Sequence, residues 1–373
     1  MKRSFKYRLH PNAHQAQILE QWRKQCCSLY NAALEQRITA WRQQGRSVLR
    51  YDQHIQLTEL RASDPAWSAA PALVQRSALR RVDLAYAAFF RRCKQGETPG
   101  FPRFRSSKRY ASFAIGCPAV RKDRVHVPKL GHVKLNLYRP IIGTIKGVTI
   151  LRDGTGKWWI SFACEVGPAP AKCEVRTRVG IDLGLTTLAT LSTGETIDNP
   201  RFSKRSADQV ARRQRSLARK QKGSRNRDHA KILVAKAHAH VANQRLDHAR
   251  KATKQIFTRF DEAAYEDLNV CALARSKLSK SFADASWGVL LRCLVSKAEE
   301  AGKHATPKNP RGTSQRCSGC GENVPKTLSE REHHCPHCGL KIDRDHNAAI
   351  NVLSARPVRS GAGGYAGVER EAP

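Results

Sequence analysis

The stretch that decides the fold is residues 312–351, which read GTSQRCSGCGENVPKTLSEREHHCPHCGLKIDRDHNAAIN. It contains two C-x2-C pairs separated by fourteen residues, and each pair is followed directly by glycine. The four cysteines are Cys317, Cys320, Cys335 and Cys338. Four thiolates at this spacing can close a tetrahedral Zn2+ site, because each glycine permits a tight backbone turn beneath the metal. The stretch therefore predicts a structural zinc ribbon.

The neighbours of these cysteines are polar and charged, which disfavours the alternative of four unrelated core cysteines. Three histidines, His333, His334 and His337, lie close enough in sequence to replace one cysteine. Because imidazole nitrogen also binds zinc, the sequence leaves the ligand set open.

Three acids stand out at predicted strand ends and helix starts. Asp345 precedes AAINVLSA, which is typical of a helix with an acidic or amide cap. Asp182 lies within an apolar strand in RTRVGIDLGLTTLATLSTG, and Glu266 ends a strand in RFDEAAYEDLNV. Each acid alone could be a cap, a turn residue or a strand-end acid, and Asp267 competes with Glu266 for that position. A carboxylate among apolar neighbours is nevertheless costly unless it binds something.

Carboxylates gathered from distant segments repel one another unless a divalent cation neutralises them. Mg2+ prefers oxygen ligands and keeps waters, which suits a phosphodiester substrate. Two such ions about 4 Å apart could activate water and stabilise the leaving oxygen. The chain has neither a Walker-type phosphate loop nor a GxSxG nucleophile elbow. Metal-assisted hydrolysis of nucleic acid is therefore the hypothesis that the residues favour.

The composition points to a polyanionic partner. The chain has 373 residues, and 67 Lys and Arg against 31 Asp and Glu give a formal net charge of +36. Such an excess is typical of nucleic-acid binding. The sequence contains no apolar run of 18 residues and no apolar signal-peptide core, so we expect a soluble intracellular protein with no membrane partner. Of the 12 cysteines, those outside the ribbon are scattered, which fits reduced thiols.

The N-terminal half is predicted to combine helices with a small β-barrel. Residues 2–9 alternate like a strand, and helical spacing of apolar residues recurs over 11–44, 51–60 and 71–94. The loop GETPGFPRFRSSKR places Phe101 and Phe104 among basic residues, which suits base stacking and phosphate pairing, or else a plain basic linker. From 110 to 166 the alternation predicts strands, with a hairpin turn at Asp153–Gly156, and a small antiparallel barrel is the economical solution. Residues 167–171 read as a linker.

Residues 201–260 contain 18 Lys or Arg and only three acids, Asp208, Asp228 and Asp247. Their sparse apolar positions have helical spacing, and 221–228 is predicted to divide the region into two helices. A charge run is often only a solvated face, but this bias favours contact with phosphates. A further helix with one buried face is predicted over 287–301.

Taken together, GIDLGLTTLATLSTG, YEDLNV, TSQRCSGCG, CPHCG and DRDHNAAIN resemble the TnpB family of transposon-encoded, RNA-guided DNA endonucleases, which have long been labelled transposases. PGFPRF and the strands KGVTI and GKWWISF also resemble the family, so the likeness extends over nearly the whole chain to about residue 354. The resemblance implies an α+β multidomain protein: a RuvC/RNase H-like α/β nuclease domain with an inserted zinc ribbon, preceded by a small β-barrel that carries an inserted helical module.

The resemblance also implies site residues. Asp182, Glu266 and Asp345 match the three acids that bind catalytic Mg2+. Cys317, Cys320, Cys335 and Cys338 match the zinc ligands of the insertion that binds the target nucleic acid. Two departures from the family pattern are Gly312, which stands where an aromatic residue usually precedes Thr-Ser-Gln, and His346, which stands where an apolar residue is commoner.

The implied domains follow one another along the chain. They are the first strand of the barrel (1–10), the helical recognition module (11–105), the rest of the barrel (106–170), the first part of the nuclease domain (175–311), the zinc-ribbon insertion (312–340), the last part of the nuclease domain (341–355) and a disordered tail (356–373).

The implied activity is cleavage of guide-complementary double-stranded DNA beside a short adjacent motif. A guide RNA from the transposon end binds the basic surface, and the N-terminal module and barrel recognise the motif. The implied protein is a monomer when RNA-bound, and is cytoplasmic in a prokaryote, joining the nucleoid when on DNA. Two other interpretations remain: a DNA transposase that catalyses strand transfer, and a non-cleaving nucleic-acid-binding regulator on the same scaffold.

Overall fold

A computed structural model of the chain describes residues 1–273, 279–327 and 330–357. They form two compact units, which divide between Pro168 and Ala169. This division falls inside the linker predicted at 167–171. Most of the predicted disordered tail, from residue 358 onward, lies outside the described residues. The finer domain boundaries stay predictions.

The first unit, whose residues 1–168 are all described, contains a seven-stranded antiparallel sheet. Its strands are β1 (Lys2–His10), β2 (Ser112–Ile115), β3 (Val120–Arg121), β4 (Arg124–Val127), β5 (Gly131–Asn136), β6 (Thr144–Arg152) and β7 (Trp158–Glu165). Phe5, Tyr7 and Leu9 alternate with exposed or half-exposed residues along β1, so one face of the strand is buried.

The strands follow the order β2-β6-β7-β1-β5-β4-β3. The predicted antiparallel pairing is therefore confirmed, including the β6–β7 hairpin, whose turn is tied by Asp153 accepting from the backbone N–H of Thr155 at 2.9 Å. Within residues 1–168, β2 pairs with β6 and β3 with β4, but β2 and β3 do not pair with each other. The hydrogen-bonded ladder thus stays open, which differs from a closed barrel.

Four helices interrupt the sheet between β1 and β2, as described for residues 1–168. They are α1 (Ala13–Gln44), α2 (Arg50–Ser63), α3 (Pro65–Ser68) and α4 (Ala72–Lys94). A capping box between Asn12 and Gln15 begins α1, and Gly45 in the left-handed conformation ends it. Trp22 and Leu34 of α1 and Leu79 of α4 share one core with the sheet. The predicted helical module is thus confirmed.

The second unit is built on a mixed five-stranded sheet. Its strands are β8 (Arg178–Leu183), β9 (Thr187–Leu191), β10 (Thr196–Asp198), β11 (Glu262–Glu266) and β12 (His304–Lys308), in the order β10-β9-β8-β11-β12. The first three strands form an antiparallel meander, whereas β8, β11 and β12 run parallel. A separate hairpin is formed by β13 (Glu332–His334) and β14 (Lys341–Asp343).

Six helices accompany this sheet among the described residues. They are α5 (Phe202–Ala218), α6 (Arg225–Arg259), α7 (Val270–Leu273), α8 (Ser279–Ala285), α9 (Trp287–Ala301) and α10 (Arg344–Ser354). The predicted break in the basic region is confirmed, and the Ser224 side chain caps the start of α6. Ile181, Ile256 and Leu291 belong to the core between the sheet and the helices.

Helix α10 packs directly against strand β8. A side chain added at Gly180 would place its Cβ 2.0 Å from the carbonyl oxygen of Ala349, so only glycine allows this approach. Asp343 caps the helix by accepting from the backbone N–H of Asp345 and His346, as the sequence predicted for an acidic cap. Helix α10 is thereby fixed against the first strand of the unit.

Among the described residues, no helix has the length and apolar character needed to cross a lipid bilayer.

Candidate active site and metal centre

Asp182 and Glu266 lie side by side at the carboxyl ends of two parallel strands. Where β8 and β11 pair with each other, the last paired residues are Ile181 and Tyr265, and the two acids are the next residue of each strand. Both side chains are buried, since Asp182 is 8% exposed and Glu266 is 6% exposed. In open α/β sheets ligands bind beyond the carboxyl ends of the strands, where the strand order reverses, and this pair occupies such an edge.

Asp345 comes to the same place from the first turn of α10. The three acids line one cavity of about 510 Å3. The structure therefore brings together all three acids that the sequence singled out.

The pKa of Asp182 is raised far above its ordinary value. Burial raises its pKa, and the neighbouring charges of Glu266 and Asp345 raise it further, to about 8. Arg344 opposes this change without cancelling it. At neutral pH the carboxyl group thus holds its proton unless a cation takes its place.

Glu266 is held by a neighbour that the sequence analysis did not single out for this role. The hydroxyl of Thr313 donates to Glu266 Oε1 at 2.6 Å, and Thr313 is itself buried. Burial raises the pKa of Glu266, and the hydroxyl partly offsets the rise because it stabilises the charged form. Thr313 opens the Thr-Ser-Gln motif, and Ser314 and Gln315 also line the cavity.

Basic side chains line the same cavity as the three acids. They come from Lys326, Arg331 and Arg344. Arg344 Nη2 lies 3.3 Å from Asp345 Oδ1, and Arg331 Nη1 lies 3.7 Å from Asp345 Oδ2. Burial and the charge of Arg344 lower the pKa of Lys326. A pocket that combines carboxylates with guanidinium and ammonium groups can accept both a divalent cation and a phosphate.

An aromatic pair forms the apolar wall of this cavity. Phe282 packs edge-on against Trp287, with ring centroids 5.0 Å apart. The indole N–H of Trp287 donates to the carbonyl oxygen of Gly184 at 3.1 Å, which fixes the turn directly after β8. The turn that follows Asp182 is therefore held in place by the first residue of α9.

The four cysteines converge as the sequence predicted. Their sulfurs lie within 4.8 Å of one another, with Cys317 Sγ 3.6 Å from Cys338 Sγ and Cys320 Sγ 3.5 Å from Cys335 Sγ. The histidines that the sequence left open as ligands are not part of this group. His333 is buried, and its Nδ1 accepts from the ammonium of Lys326.

Two matching turns present the sulfurs. The backbone N–H of Gly321 donates to the carbonyl oxygen of Cys317 at 2.9 Å, and that of Gly339 donates to the carbonyl oxygen of Cys335 at 3.0 Å. Both glycines have positive φ values, 81° and 73°. Burial raises the pKa of the Cys335 thiol, but the backbone N–H groups of Cys338 and His337 outweigh it and lower the pKa to about 6. Four thiols in this arrangement fit the ligand set of a closed tetrahedral zinc site.

Two amide side chains of α10 join the cysteine centre to the acids. Asn347 is fully buried: its Oδ1 accepts from the N–H of Ser318 at 2.9 Å, and its Nδ2 donates to Arg316 O at 2.8 Å. Asn351 donates to Thr313 O at 2.9 Å. Sequence reasoning missed both residues, although their spacing of i and i+4 on the helix that carries Asp345 offered a signal.

The basic helices α5 and α6 are held together by Asp284 of α8. Its carboxylate accepts from the N–H groups of Ser203 and Lys204 at 2.8 and 3.1 Å and pairs with Arg245 at 3.0 Å. Asp284 is partly buried, which raises its pKa, but these donors outweigh that effect and lower it. It therefore caps α5 from a distant helix, a role that the sequence did not indicate.

In the first unit, the loop that the sequence singled out for base stacking exposes Phe101 and Phe104 about halfway. Phe101 also packs edge-on against Tyr86 and Phe89, with ring centroids 5.9 and 5.4 Å apart. Part of the ring is thus committed to packing on α4, and base stacking at this loop stays a prediction.

Three sequence-family models match parts of the chain. They are OrfB_IS605, described as "Probable transposase", over residues 161–277; the Cas12f1-like TNB domain over residues 287–352; and HTH_OrfB_IS605, described as a helix-turn-helix domain, over residues 1–46. The first includes Asp182 and Glu266, and the second includes the four cysteines and Asp345. Over the third, the structure has β1 followed by the single long helix α1.

Curated relatives align along the whole chain. A "Putative RNA-guided DNA endonuclease" of Streptomyces pristinaespiralis is 33% identical, with 100% of this chain and 93% of the relative covered. InsQ of Escherichia coli K12, which carries the same description, is 29% identical, with 95% of this chain and 93% of the relative covered.

The fold also resembles a solved structure. A cryo-EM structure of a Cas12f1–sgRNA–target DNA complex matches with a TM-score of 0.58 at 14% identity, covering 92% of this chain and 83% of that chain. At this identity the likeness concerns the fold, which is of mixed α and β content.

Proposed function

The chain belongs to the TnpB family of RNA-guided DNA endonucleases, and from this premise we propose that it cleaves double-stranded DNA that is complementary to a bound guide RNA. The proposed reaction is Mg2+-dependent hydrolysis of a phosphodiester beside a short adjacent motif. The family is associated with transposable elements, so we propose that the guide comes from the transposon end.

One observation carries the proposal. Asp182, Glu266 and Asp345, which come from three distant segments, line a single cavity together with basic side chains. Burial, together with the charges of the other two carboxylates, raises the pKa of Asp182 to about 8. This donor set fits hard divalent cations, which would relieve the repulsion that the protein leaves uncompensated.

The proposed roles follow from these contacts. A pair of Mg2+ ions bound by the three carboxylates would supply charge neutralisation and an activated water. Asp182 and Glu266 provide ligand oxygens from rigid strand ends, and Asp345 provides the third from α10. Thr313 orients Glu266, and Arg344 and Lys326 offer positive charge to the phosphate of the bound strand. The catalytic part is proposed to be a RuvC-like domain of the RNase H type, in keeping with acids beyond parallel strand ends.

The four-cysteine cluster is proposed to hold structural Zn2+ in a zinc ribbon that binds the target nucleic acid. The hydrogen bonds from Ser318 to Asn347 and from Asn351 to Thr313 support a second, indirect role of the ribbon in positioning α10. The basic helices α5 and α6 are proposed to contact nucleic-acid backbones, because base pairing by the guide carries the sequence information. We further propose that one copy of the protein binds one guide.

Two steps test this function. Protein expressed with its flanking DNA is purified, and the RNA that copurifies with it is extracted and sequenced. A discrete RNA that reads from the element into flanking sequence supports guided targeting, whereas random cellular RNA contradicts it. The loaded complex is then given matched target DNA, and Asp182→Asn, Glu266→Gln or Asp345→Asn is expected to lower the cleavage rate about a thousandfold or more while target binding persists.

The same experiment separates the two competing interpretations. A non-cleaving regulator would bind the target but leave it intact, with no difference between the wild-type protein and Asp182→Asn. A transposase would join a cut end to new DNA, which sequencing of the products detects. Cleaved, unjoined products that require a matched guide support the endonuclease.

A further inference from the structure

Arg331 bridges two elements across the cavity of the three acids. Its Nη1 lies 3.7 Å from Asp345 Oδ2, and its Nη2 lies 3.5 Å from the hydroxyl of Thr186, in the turn between β8 and β9. A carboxylate that binds a divalent cation must present its oxygens to that cation. Arg331 thus stands beside an oxygen of Asp345 that the proposed function assigns to the metal.

Arg344 contacts the same carboxylate in a different way. Its Nε and Nη2 both lie 3.3 Å from Asp345 Oδ1, and its Nη1 donates to the carbonyl oxygen of Glu330 at 3.2 Å. Its side chain is 16% exposed, whereas that of Arg331 is 58% exposed. Arg344 is therefore a fixed neighbour of Asp345, and Arg331 is held by long, solvent-exposed contacts.

The backbone of Arg331 is nevertheless anchored. Its carbonyl oxygen accepts from the N–H of Arg344 at 2.8 Å, directly at the start of α10. The side chain can therefore change direction while the residue stays beside the cavity. An exposed ion pair of this length stabilises little, because water screens it and the long side chain loses conformational freedom. Releasing Asp345 from Arg331 is correspondingly easy.

We propose that Arg331 is a displaceable counter-ion of Asp345, which shields the carboxylate before divalent cations bind and then turns to the phosphate of the DNA strand in the cavity. The first half of the inference rests on the metal-binding role proposed for Asp345, and the second half rests also on the proposed cleavage of DNA. The guanidinium suits both tasks, since its planar fork pairs with a carboxylate or with a phosphate through two N–H groups. Lysine offers a single charged point and cannot reproduce the bidentate contact.

The counter-ion role is tested by metal binding to the full-length, RNA-free protein. Mn2+ serves as the probe, its binding is followed by electron paramagnetic resonance, and the Asp345→Asn variant gives the baseline. Arg331→Ala is expected to bind Mn2+ about two- to fivefold more tightly than the wild-type protein, since the competing charge is gone. Lys341→Ala removes one exposed charge from an ion pair with Glu332 in the β13–β14 hairpin, and it is expected to leave Mn2+ binding unchanged.

The phosphate role is tested with the guide-loaded complex at saturating Mg2+. Arg331→Ala is expected to lower the cleavage rate about ten- to a hundredfold with unchanged target binding, and Arg331→Lys to restore only part of the rate. Tighter metal binding together with slower cleavage distinguishes this role from simple loss of structure. Unchanged Mn2+ binding in Arg331→Ala overturns the counter-ion, and an unchanged cleavage rate overturns the phosphate contact. If the wild-type complex does not cleave at all, the proposed function fails while the Mn2+ result still stands.

Discussion

Asp182 and Glu266 are the next residues after Ile181 and Tyr265, the last paired residues of two adjacent parallel strands, and both acids are buried. Two carboxylates in this position destabilise the protein unless they are protonated or bind a cation. The pair therefore couples folding to protonation and, under the proposed function, to metal binding.

The first prediction concerns the pH dependence of stability without Mg2+. The folded pKa of Asp182 is about 8 and its ordinary value is 3.8, so the folded state holds a proton that the unfolded state releases. Between these values the contribution of this group to the free energy of unfolding falls as pH rises. Chemical denaturation of the zinc-loaded protein at pH 6 and at pH 8 measures this change in the free energy of unfolding. Asp182→Asn is expected to weaken this dependence, and Mg2+ at pH 8 is expected to restore stability; a steeper dependence in the variant contradicts the assignment.

The second prediction concerns the hydroxyl of Thr313. Thr313→Val removes the donor to Glu266 at nearly constant volume, so the pKa of Glu266 rises further. In a plot of cleavage rate against pH, the rise on the acidic side is expected to move to higher pH. The rate at pH values well above this rise is expected to change less. Thr306→Val is the matched control, because Thr306 donates at 2.7 Å to Glu262, which lies on β11 like Glu266 but does not line the cavity. Equal shifts in both variants would count against a special role for Thr313.

The third prediction concerns the connection between the cysteine centre and α10. Asn347→Ala leaves the partly buried N–H of Ser318 and the carbonyl oxygen of Arg316 without this partner. An unpaired buried polar group costs about 1–3 kcal/mol. Thermal unfolding is expected to show this loss, and cleavage is expected to slow although all three acids and all four cysteines remain. A variant with wild-type stability and a wild-type cleavage rate would mean that the ribbon does not help to position the acids.

The fourth prediction concerns zinc. Cys335→Ser removes one of the four converging sulfurs, and the protein is expected to lose its zinc and about 3 kcal/mol or more of stability. Zinc content by mass spectrometry and thermal unfolding provide the measurements. Cys93→Ser, at an exposed cysteine of the first unit, is the control that is expected to change neither quantity. A folded, zinc-free Cys335→Ser protein of normal stability would refute the structural role.

The fifth prediction concerns Gly180. The Cβ of Gly180→Ala would meet the Ala349 carbonyl oxygen at 2.0 Å, so α10 must move away from β8 and carry Asp345 with it. We expect a loss of about 1–3 kcal/mol in stability and a much lower cleavage rate. Gly147 of β6 is a strand glycine with open space at its Cβ position, and Gly147→Ala is expected to be tolerated. Equal effects of the two substitutions would contradict the close approach.

Sequence patterns gave the elements of the fold because each element satisfies a local rule. The alternation in β1, the capping box at Asn12 and the break before Ser224 are all local features. The acids and cysteines could be predicted for the same reason, since spacing and polarity mark them. The absence of pairing between the edge strands β2 and β3 could not be predicted, because closure of the sheet depends on how the whole sheet twists and packs against its helices.

The supporting residues escaped prediction for a physical reason. Asn347, Thr313 and Asp284 act through hydrogen bonds to groups that are distant in sequence. A threonine or an asparagine has the same local signature whether it faces water or holds a buried carboxylate. Only the assembled chain distinguishes the two.

The docking of α10 on β8 at Gly180 has a consequence for synthesis on the ribosome. The strand that carries Asp182 emerges long before the helix that carries Asp345, and contacts between distant segments form late in folding. A nascent or prematurely terminated chain that stops before residue 345 lacks the third carboxylate. Under the proposed function, competence to cut DNA is withheld until translation has passed the ribbon, so incomplete products pose no nuclease hazard to the cell that makes them.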